Sequence, residues 1–204
     1  MKLVLVFIFA YLLGATPNGY IFGMKFAGKD IRNYGSGNVG ATNVARVAGY
    51  KVGLLVAILD IAKGYVAVLM AQYLLLPEYS MGFVFAAVLL AVIGHNWSIF
   101  LSFNGGKGVA TSVGIILRLF PYSLLVLFIV WIIMIIITKM VSVGSILGAI
   151  SLPFSVALIY STDTSYLIFS TIITLLIIFS HRSNIKRLIN GNENKMSWPP
   201  GKEG

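Results

Sequence analysis

Residues 35–46 read GSGNVGATNVAR, and residues 103–112 read FNGGKGVATS. Each segment gathers glycines, hydroxyl or amide side chains and a cation within at most twelve positions, and each leads directly into an apolar stretch. Closely spaced glycines allow backbone N–H groups to converge on an anion, and the start of a following helix adds the positive end of its dipole. The two segments, called loop 1 and loop 2 below, therefore predict sites for two phosphate groups or for one large phosphorylated ligand.

The rest of the chain is strongly apolar. Of its 204 residues, 58% are hydrophobic and 10% are charged, and the mean hydropathy is +0.93. About seven apolar stretches predict an all-α integral membrane protein with a single domain over residues 1–204. The shorter stretches are expected to be helices that stop where a polar cavity begins. The stretches are Leu3–Met24, Gly53–Leu76, Met81–Ile93, Val109–Phe120, Tyr122–Thr138, Val143–Tyr160 and Tyr166–Ser180.

The lysines and arginines predict how the chain is oriented. If the N-terminus is outside and there are seven spans, twelve of the fifteen cations face the cytoplasm, while Lys2 and Arg118 stay outside. This asymmetry follows the positive-inside rule and accounts for the net charge of +9. Both loops and the basic tail from about His181 then face the cytoplasm, where phosphorylated metabolites are found. The twelve cations are Lys25, Lys29, Arg32, Arg46, Lys51, Lys107, Lys139, Arg182, Lys186, Arg187, Lys195 and Lys202.

Loop 1 carries the groups expected of an anion site. Its glycines permit close approach of the backbone, and its arginine presents a planar fork that suits phosphate. Thr42 or Asn43 is also expected to cap the helix that follows, and the alternative interpretation of the whole segment is a flexible, capped interhelical loop. The candidate residues are Gly35, Gly37 and Gly40 for the backbone, Ser36, Asn38, Thr42 and Asn43 for hydroxyls and amides, and Arg46 for the cation.

Loop 2 places one lysine inside a glycine turn. Lys107 is surrounded by Gly105, Gly106 and Gly108, directly before an apolar helix. The spacing does not match a P-loop, but a lysine at a helix start still suits a phosphate; the alternative is a cytoplasmic lysine in a tight turn. His95 ends the preceding span, and it either reaches the same cavity or is a packed, hydrogen-bonded histidine.

Two further pairs of polar residues fall in or beside the spans. Asp60 and Lys63 are three residues apart on one helix face, and they are predicted to pair and hold helices together, with a functional role as the alternative. His181 and Asn184 share a helical face where the last span leaves the membrane. They either line a cytoplasmic pocket or form an interfacial cap.

The composition excludes several kinds of chemistry. The chain has no cysteine and two histidines, so disulfides, thiol catalysis and thiolate or histidine-rich metal sites are not expected, and neither is a cofactor. What the loops offer is anion binding, orientation and charge stabilisation, which suit a substrate that is already activated. A small transporter of phosphorylated metabolites and a non-catalytic lipid-binding protein remain the alternatives, although no polar break on the outer side matches the loops as alternating access requires.

Three segments together, GSGNVGATNVAR, GHNWSIFLSFNGGKGVATS and HRSNIKRLINGNE, resemble the motifs of the bacterial membrane glycerol-3-phosphate acyltransferases that use acyl phosphate. The resemblance covers essentially the whole chain, in order. It implies a seven-helix enzyme of the bacterial inner membrane, with its N-terminus outside and its C-terminus in the cytoplasm. Such an enzyme transfers a fatty acyl group from acyl phosphate to the 1-hydroxyl of sn-glycerol 3-phosphate, the first step of phospholipid synthesis. A separate enzyme, a possible transient partner, supplies the acyl phosphate.

The resemblance also implies roles for individual residues. It implies that the catalytic residues are His181, Lys107 and Arg46. The expected contacts of the acceptor are Ser36, Arg46, Lys107, His181 and Asn184, and the expected hole for the donor phosphate is formed by Gly40, Thr42, Asn43, Gly105, Gly106 and Gly108. Glu193 is expected to pair with nearby cations. The proton of the attacking hydroxyl is expected to pass to a phosphate oxygen of the donor, with His181 as the alternative base.

Overall fold

The computed structural model of the chain describes residues 1–76, 78–160 and 163–196. These residues fold into helices joined by short loops, so the predicted all-α class is confirmed. Of these residues, those up to Leu119 form one compact unit, unit 1, and those from Phe120 onward form another, unit 2. Lys202, one of the cations used to predict the orientation, lies outside the described residues. The helices are α1 Lys2–Ala15, α2 Asn18–Ala27, α3 Ala41–Ala48, α4 Tyr50–Leu75, α5 Met81–Asn96, α6 Val109–Leu119, α7 Pro121–Thr138, α8 Val141–Ile159, α9 Thr164–Ser180 and α10 Arg182–Ile189.

Several helices have the length and hydropathy of membrane spans. The described part of the chain contains five candidate spans. A sixth is added if α9 and α10, bent by 58° at their junction, count as one broken span. Helix α6 is apolar but has 11 residues, so at 1.5 Å per residue it is about 16 Å long, roughly half of the hydrocarbon core. The chain is a multi-pass membrane protein, and the count of seven spans stays a prediction because it needs α6 to be counted. The five candidates are Lys2–Ala27, Tyr50–Leu75, Met81–Leu101, Pro121–Thr138 and Val141–Ile159.

Loop 1 and loop 2 lie at the same end of unit 1. Helix α4 begins at Tyr50, shortly after loop 1, and runs to Leu75. Beyond the end of α4, Glu78 forms an ion pair with Lys2, at 2.9 Å. The start of α1 therefore lies beside the end of α4. Helix α5 then returns and ends at Asn96, just before loop 2. Both loops therefore lie at the end of unit 1 opposite Lys2.

Helices α4 and α6 approach each other through glycines. A methyl group added at Gly64 would overlap the carbonyl oxygen of Thr111, and one added at Gly114 would overlap that of Ile61. Small residues of this kind let helix backbones come into contact inside a membrane. Because Thr111 lies in the first turn of α6, the contact places the start of α6 beside the middle of α4, so loop 2 extends inward from its end of unit 1. At such a depth, irregular backbone is tolerated where it is buried in protein or lines a cavity.

Unit 2 is built on the packing of α8 against α7 and α9. Lys139, in a left-handed backbone conformation, ends α7 and turns the chain into α8. The ring of Phe120 packs against the rings of Tyr160, Tyr166 and Phe169, with centroids 5.3 to 6.2 Å apart. This aromatic cluster holds the start of α7 against the end of α8 and the first half of α9. The chain then continues from α9 into α10, which carries the third motif.

Replacing Gly64 by alanine is expected to destabilise the protein by about 1–3 kcal/mol, because the methyl group must displace the Thr111 carbonyl. Gly82→Ala is the matched control, since that glycine lies in α5 and the atom nearest to an added methyl is the Ser80 hydroxyl oxygen, at 3.7 Å. The control should be neutral or slightly stabilising. Thermal unfolding of both purified variants in detergent measures the difference, and equal Tm values would contradict the close contact of α4 and α6.

Candidate active site

One buried side chain holds the backbone of loop 1. Asn43, in the first turn of α3, accepts a hydrogen bond from the Ser36 N–H at 2.8 Å. Its amide nitrogen donates to the carbonyls of Ile31 and Tyr34, both at 3.1 Å, which uses both of its hydrogens. Gly35 has a φ of +59°, and a Cβ there would overlap the Asn43 oxygen. The Asn43 side chain therefore shapes loop 1, in which the resemblance implies a hole for the donor phosphate.

The start of α3 presents the remaining groups of loop 1. Gly40 is the N-cap residue of α3, without a side-chain cap, and its own N–H donates to the Asn38 side-chain oxygen at 2.9 Å. The prediction that Thr42 or Asn43 caps this helix is wrong, because both lie inside its first turn. Thr42 and Arg46 are exposed and lie four residues apart on one helix face. With the unpaired N–H groups of the first turn, this face can bind an anion.

The first half of loop 2 folds back onto the end of α5. The Gly105 N–H donates to the Asn96 carbonyl at 3.0 Å, and the Gly106 N–H donates to the His95 carbonyl at 2.9 Å. These bonds satisfy two of the carbonyls that a helix leaves unpaired at its C-terminus. A methyl group added at Gly106 would overlap the His95 ring. Gly105 and Gly106 therefore anchor loop 2, and their N–H groups donate to the end of α5.

The second half of loop 2 leads into α6. Lys107 is half-buried, and Gly108, with a φ of +76°, turns the chain into the helix. The Ser112 N–H donates to the Gly108 carbonyl at 2.8 Å, so the helical ladder begins there. The N–H groups of the first turn, from Val109 onward, have no partner within the helix. Together with the Lys107 ammonium, they create a positive field that favours an anion at the start of α6.

Behind loop 2 lies a buried group of polar side chains. The Lys63 ammonium lies 2.9 Å from the Asp60 carboxylate, and both are almost completely buried, so the predicted pairing is confirmed. His95 is 8% exposed, and its Nδ1 lies 3.9 Å from the same Asp60 oxygen. Of the two interpretations of His95, the structure supports the packed histidine.

In unit 2, the third motif begins at the bend between α9 and α10. His181 is buried there, and its Nδ1 lies 2.8 Å from the Ile177 carbonyl oxygen. Because a carbonyl can only accept, Nδ1 carries the hydrogen, and in the neutral ring the lone pair is on Nε2. A neutral imidazole of this tautomer is chemically able to act as a general base.

Glu193 holds Asn184 in place within unit 2. Its carboxylate accepts hydrogen bonds from the Asn184 amide at 2.7 Å and the Ser142 hydroxyl at 2.9 Å. It also pairs with Arg187 at 2.8 Å, so its predicted pairing with a cation is confirmed. Burial alone raises the pKa of Glu193, but these three hydrogen bonds outweigh it and lower the pKa below its ordinary value. The Asn184 side-chain oxygen is buried and accepts no hydrogen bond within the described part of the chain, which suits a donor on a ligand.

The sequence patterns identified Asp60 and Glu193 but not the uncharged residues that hold them. Asn18 donates to Asp60 at 3.0 Å from 42 positions away, and Ser142 donates to Glu193 from 51 positions away. An asparagine after a proline and a serine in an apolar helix are both common. No local signal marks these two residues, so only the tertiary structure reveals them.

These observations define a class: a multi-pass helical membrane protein with two glycine-rich loops, at one end of unit 1, whose helix starts and cations suit phosphate groups. Among residues 1–76, 78–160 and 163–196, no three histidine or acidic side chains gather as a metal site would require. The chain belongs to the glycerol-3-phosphate acyltransferase family, whose model matches residues 4–191. It is therefore an acyltransferase of the membrane.

Similar proteins match along their whole length. The glycerol-3-phosphate acyltransferase of Thermoanaerobacter sp. (strain X514) is 46% identical over 196 residues, 96% of each chain. That of Staphylococcus carnosus (strain TM300) is 40% identical and covers 97% of this chain and all of the relative. Among solved structures, PlsY (YgiH), an integral membrane glycerol 3-phosphate acyltransferase, is similar in its glycerol 3-phosphate form, with 37% identity, a TM-score of 0.88 and coverage of 97% and 96%. Its lysophosphatidic acid form has a TM-score of 0.85 at 36% identity and the same coverage.

Asn43→Asp is expected to loosen loop 1. A carboxylate can still accept from Ser36, but it loses both donations and places negative charge against two carbonyl oxygens. Backbone amide exchange in loop 1, measured by mass spectrometry, should become about tenfold faster or more. Asn33→Asp, which makes the same change at an exposed position, is the control. Similar exchange in the two variants would show that Asn43 does not hold the loop.

Proposed function

We propose that this chain transfers a fatty acyl group from acyl phosphate to the 1-hydroxyl of sn-glycerol 3-phosphate. The products are 1-acyl-glycerol 3-phosphate (lysophosphatidic acid) and inorganic phosphate. The observation that carries the proposal is the full-length similarity to a membrane acyltransferase solved in glycerol 3-phosphate and lysophosphatidic acid forms. The choice of acyl phosphate as donor is supported by the two anion-binding loops, which suit two phosphate-bearing substrates.

Unit 1 supplies the groups that bind the two phosphates. We propose that Ser36, Arg46 and Lys107 contact the phosphate of the acceptor. Arg46 offers a charged fork and Lys107 a point charge, and both form strong hydrogen bonds with phosphate oxygens. The donor phosphate is bound by N–H groups at the starts of α3 and α6, next to Gly40, Thr42 and Gly108. Gly105, Gly106 and Asn43 hold the loops that present these N–H groups.

The reaction needs little chemistry from the protein. Acyl phosphate is a mixed anhydride whose phosphate leaves readily. The hydroxyl oxygen of the acceptor attacks the acyl carbonyl carbon, an ester bond forms, and the bond between that carbon and the phosphate oxygen breaks. The proton of the hydroxyl passes to an oxygen of the departing phosphate. Holding two anions side by side against their repulsion is then the main catalytic task, and backbone N–H groups with two cations perform it.

In unit 2, two polar groups of the third motif suit the acceptor. The open oxygen of Asn184 can accept a hydrogen bond from a glycerol hydroxyl, since an alcohol is a donor and this oxygen is otherwise unsatisfied. His181 is proposed as a further contact of the acceptor. Its imidazole is the second candidate for the base, after the donor phosphate.

The excess of cations on one side supports a defined orientation. We propose that the protein lies in the bacterial inner membrane, with its N-terminus outside and both loops and the C-terminus in the cytoplasm. There it receives acyl phosphate from a separate enzyme that makes it from acyl carrier protein. Neither acyl-CoA nor acyl carrier protein serves directly as the donor.

Purified protein supplied with glycerol 3-phosphate and palmitoyl phosphate should release phosphate and form lysophosphatidic acid, whereas palmitoyl-CoA should yield none. Lys107→Met should lower kcat/KM by about 10²–10³-fold, because the variant loses a cation that binds the acceptor phosphate and offsets its repulsion from the donor phosphate. Lys51→Met, at an exposed position, is the control and should retain activity. Solute movement across sealed vesicles without phosphate release would instead indicate a transporter.

His181→Gln distinguishes the two candidate bases. If the donor phosphate takes the proton, turnover should stay within about tenfold of the unmodified protein, with the same pH dependence. A positioned general base contributes about 10²–10⁴-fold. A loss of that size in kcat, with KM for glycerol 3-phosphate unchanged, would assign the proton to His181 instead.

A further inference from the structure

A buried polar cluster links the two loops of unit 1. Its members are Asp60 and Lys63 from α4, Asn18 from the start of α2, His95 from the end of α5, and the backbone carbonyl of Thr16. The Asp60 carboxylate is 2% exposed and Lys63 is 5% exposed. Neither contacts the substrates in the mechanism above, so the chemistry gives no reason for burying two charges.

Lys63 satisfies a backbone group at the break between α1 and α2. Pro17 has no N–H and interrupts the helical ladder, and the Thr16 carbonyl beside it accepts a hydrogen bond from the Lys63 ammonium at 3.1 Å. The Ser98 hydroxyl donates to the neighbouring Ala15 carbonyl. The break between α1 and α2 is therefore hydrogen-bonded to α4 on one side and to the segment that leads into loop 2 on the other.

One oxygen atom of Asp60 lies close to side chains that support each of the two loops. Its Oδ1 accepts from the Asn18 amide at 3.0 Å, and the next residue, Gly19, lies so close to loop 1 that an added methyl group would overlap the Val39 carbonyl. The same Oδ1 lies 3.9 Å from the His95 ring. His95 in turn carries loop 2, because its carbonyl accepts from the Gly106 N–H and its ring packs against that residue.

Stability alone does not explain this arrangement. A buried ion pair loses hydration energy that its attraction often fails to recover, and an apolar replacement is often as stable or more so. An apolar pair forms no directional hydrogen bonds, so it cannot donate to the Thr16 carbonyl or accept from Asn18. A positional role accounts for both contacts.

We propose that Asp60 and Lys63 are positioning residues that set the separation of loop 1 and loop 2. By doing so they set the separation of the two bound phosphates, and in this respect the inference rests on the proposed function. A displacement of about 1 Å between reacting groups can cost about 10²-fold in rate. The ion pair thus acts on the reaction through the loops, without contacting a substrate.

The test uses the double variant Asp60→Leu/Lys63→Met, which removes both charges and the hydrogen bonds to Asn18 and Thr16 without leaving one charge unpaired. The matched control is Lys2→Met/Glu78→Gln, which removes an exposed Lys–Glu pair of the same 2.9 Å separation at the opposite end of unit 1. For each protein in detergent, Tm, amide exchange in both loops, and kcat/KM for glycerol 3-phosphate with palmitoyl phosphate are measured.

At temperatures well below Tm, the double variant should exchange amides in both loops about tenfold faster or more, and kcat/KM should fall by about 10²-fold. The control should match the unmodified protein in both measurements. Unchanged exchange and unchanged kcat/KM in a folded double variant would overturn the proposal, as would an activity loss that only follows the unfolded fraction. Amide exchange can be measured whether or not the protein is active. If the unmodified protein is inactive, the proposed function is refuted, but the exchange measurement still tests the positioning role of Asp60 and Lys63.

A milder variant covers the case in which the double variant does not fold. Asn18→Ala removes the link from Asp60 to α2 and leaves the ion pair intact. It should speed amide exchange in loop 1 and leave loop 2 close to the unmodified protein. Unchanged exchange in loop 1 would overturn the proposal, because Asp60 would then have no hold on that loop.

Discussion

The hydrogen bonds from the Gly105 and Gly106 N–H groups to the last carbonyls of α5 are the contacts on which loop 2 depends. Below the membrane surface, an N–H or C=O group without a partner costs several kcal/mol. The fold meets this demand by bonding the last carbonyl groups of α5 to N–H groups of the irregular segment that follows the helix. Loop 1 meets the same demand differently, since the Asn43 side chain bonds three backbone groups.

These occupied N–H groups indicate where loop 2 can bind a ligand. Once the first glycines of loop 2 are committed to α5, the N–H groups still to be satisfied are those of the first turn of α6, beside Lys107. In the proposed function, a phosphate supplies acceptors for these groups and meets the positive end of the helix dipole. In unit 2, Glu193 plays a comparable part, because it occupies the Asn184 amide hydrogen and leaves the side-chain oxygen open.

Much of the architecture follows from local sequence. Apolar stretches predict helices because every backbone group of a spanning segment must be paired within it. The pairing of Asp60 with Lys63 follows from their spacing on one helix, and the pairing of Glu193 with Arg187 is also local. The wrong prediction concerns the cap of α3. A threonine or asparagine is a good cap in general, but the Asn43 side chain bonds the carbonyls of Ile31 and Tyr34, just before loop 1, and Gly40 is the N-cap residue instead.

By itself, then, the sequence determined the helical membrane class and the residues that belong to each motif, and it predicted that two glycine-rich loops bind phosphate, because hydropathy, charge and glycine spacing are local properties. Only the tertiary structure decided which motif groups are occupied within the protein and which remain for a ligand. That choice depends on hydrogen bonds that form only when the chain has folded, such as the one from the Gly106 N–H to the His95 carbonyl. A hydrogen bond of this kind removes a donor that the motif alone would count as available.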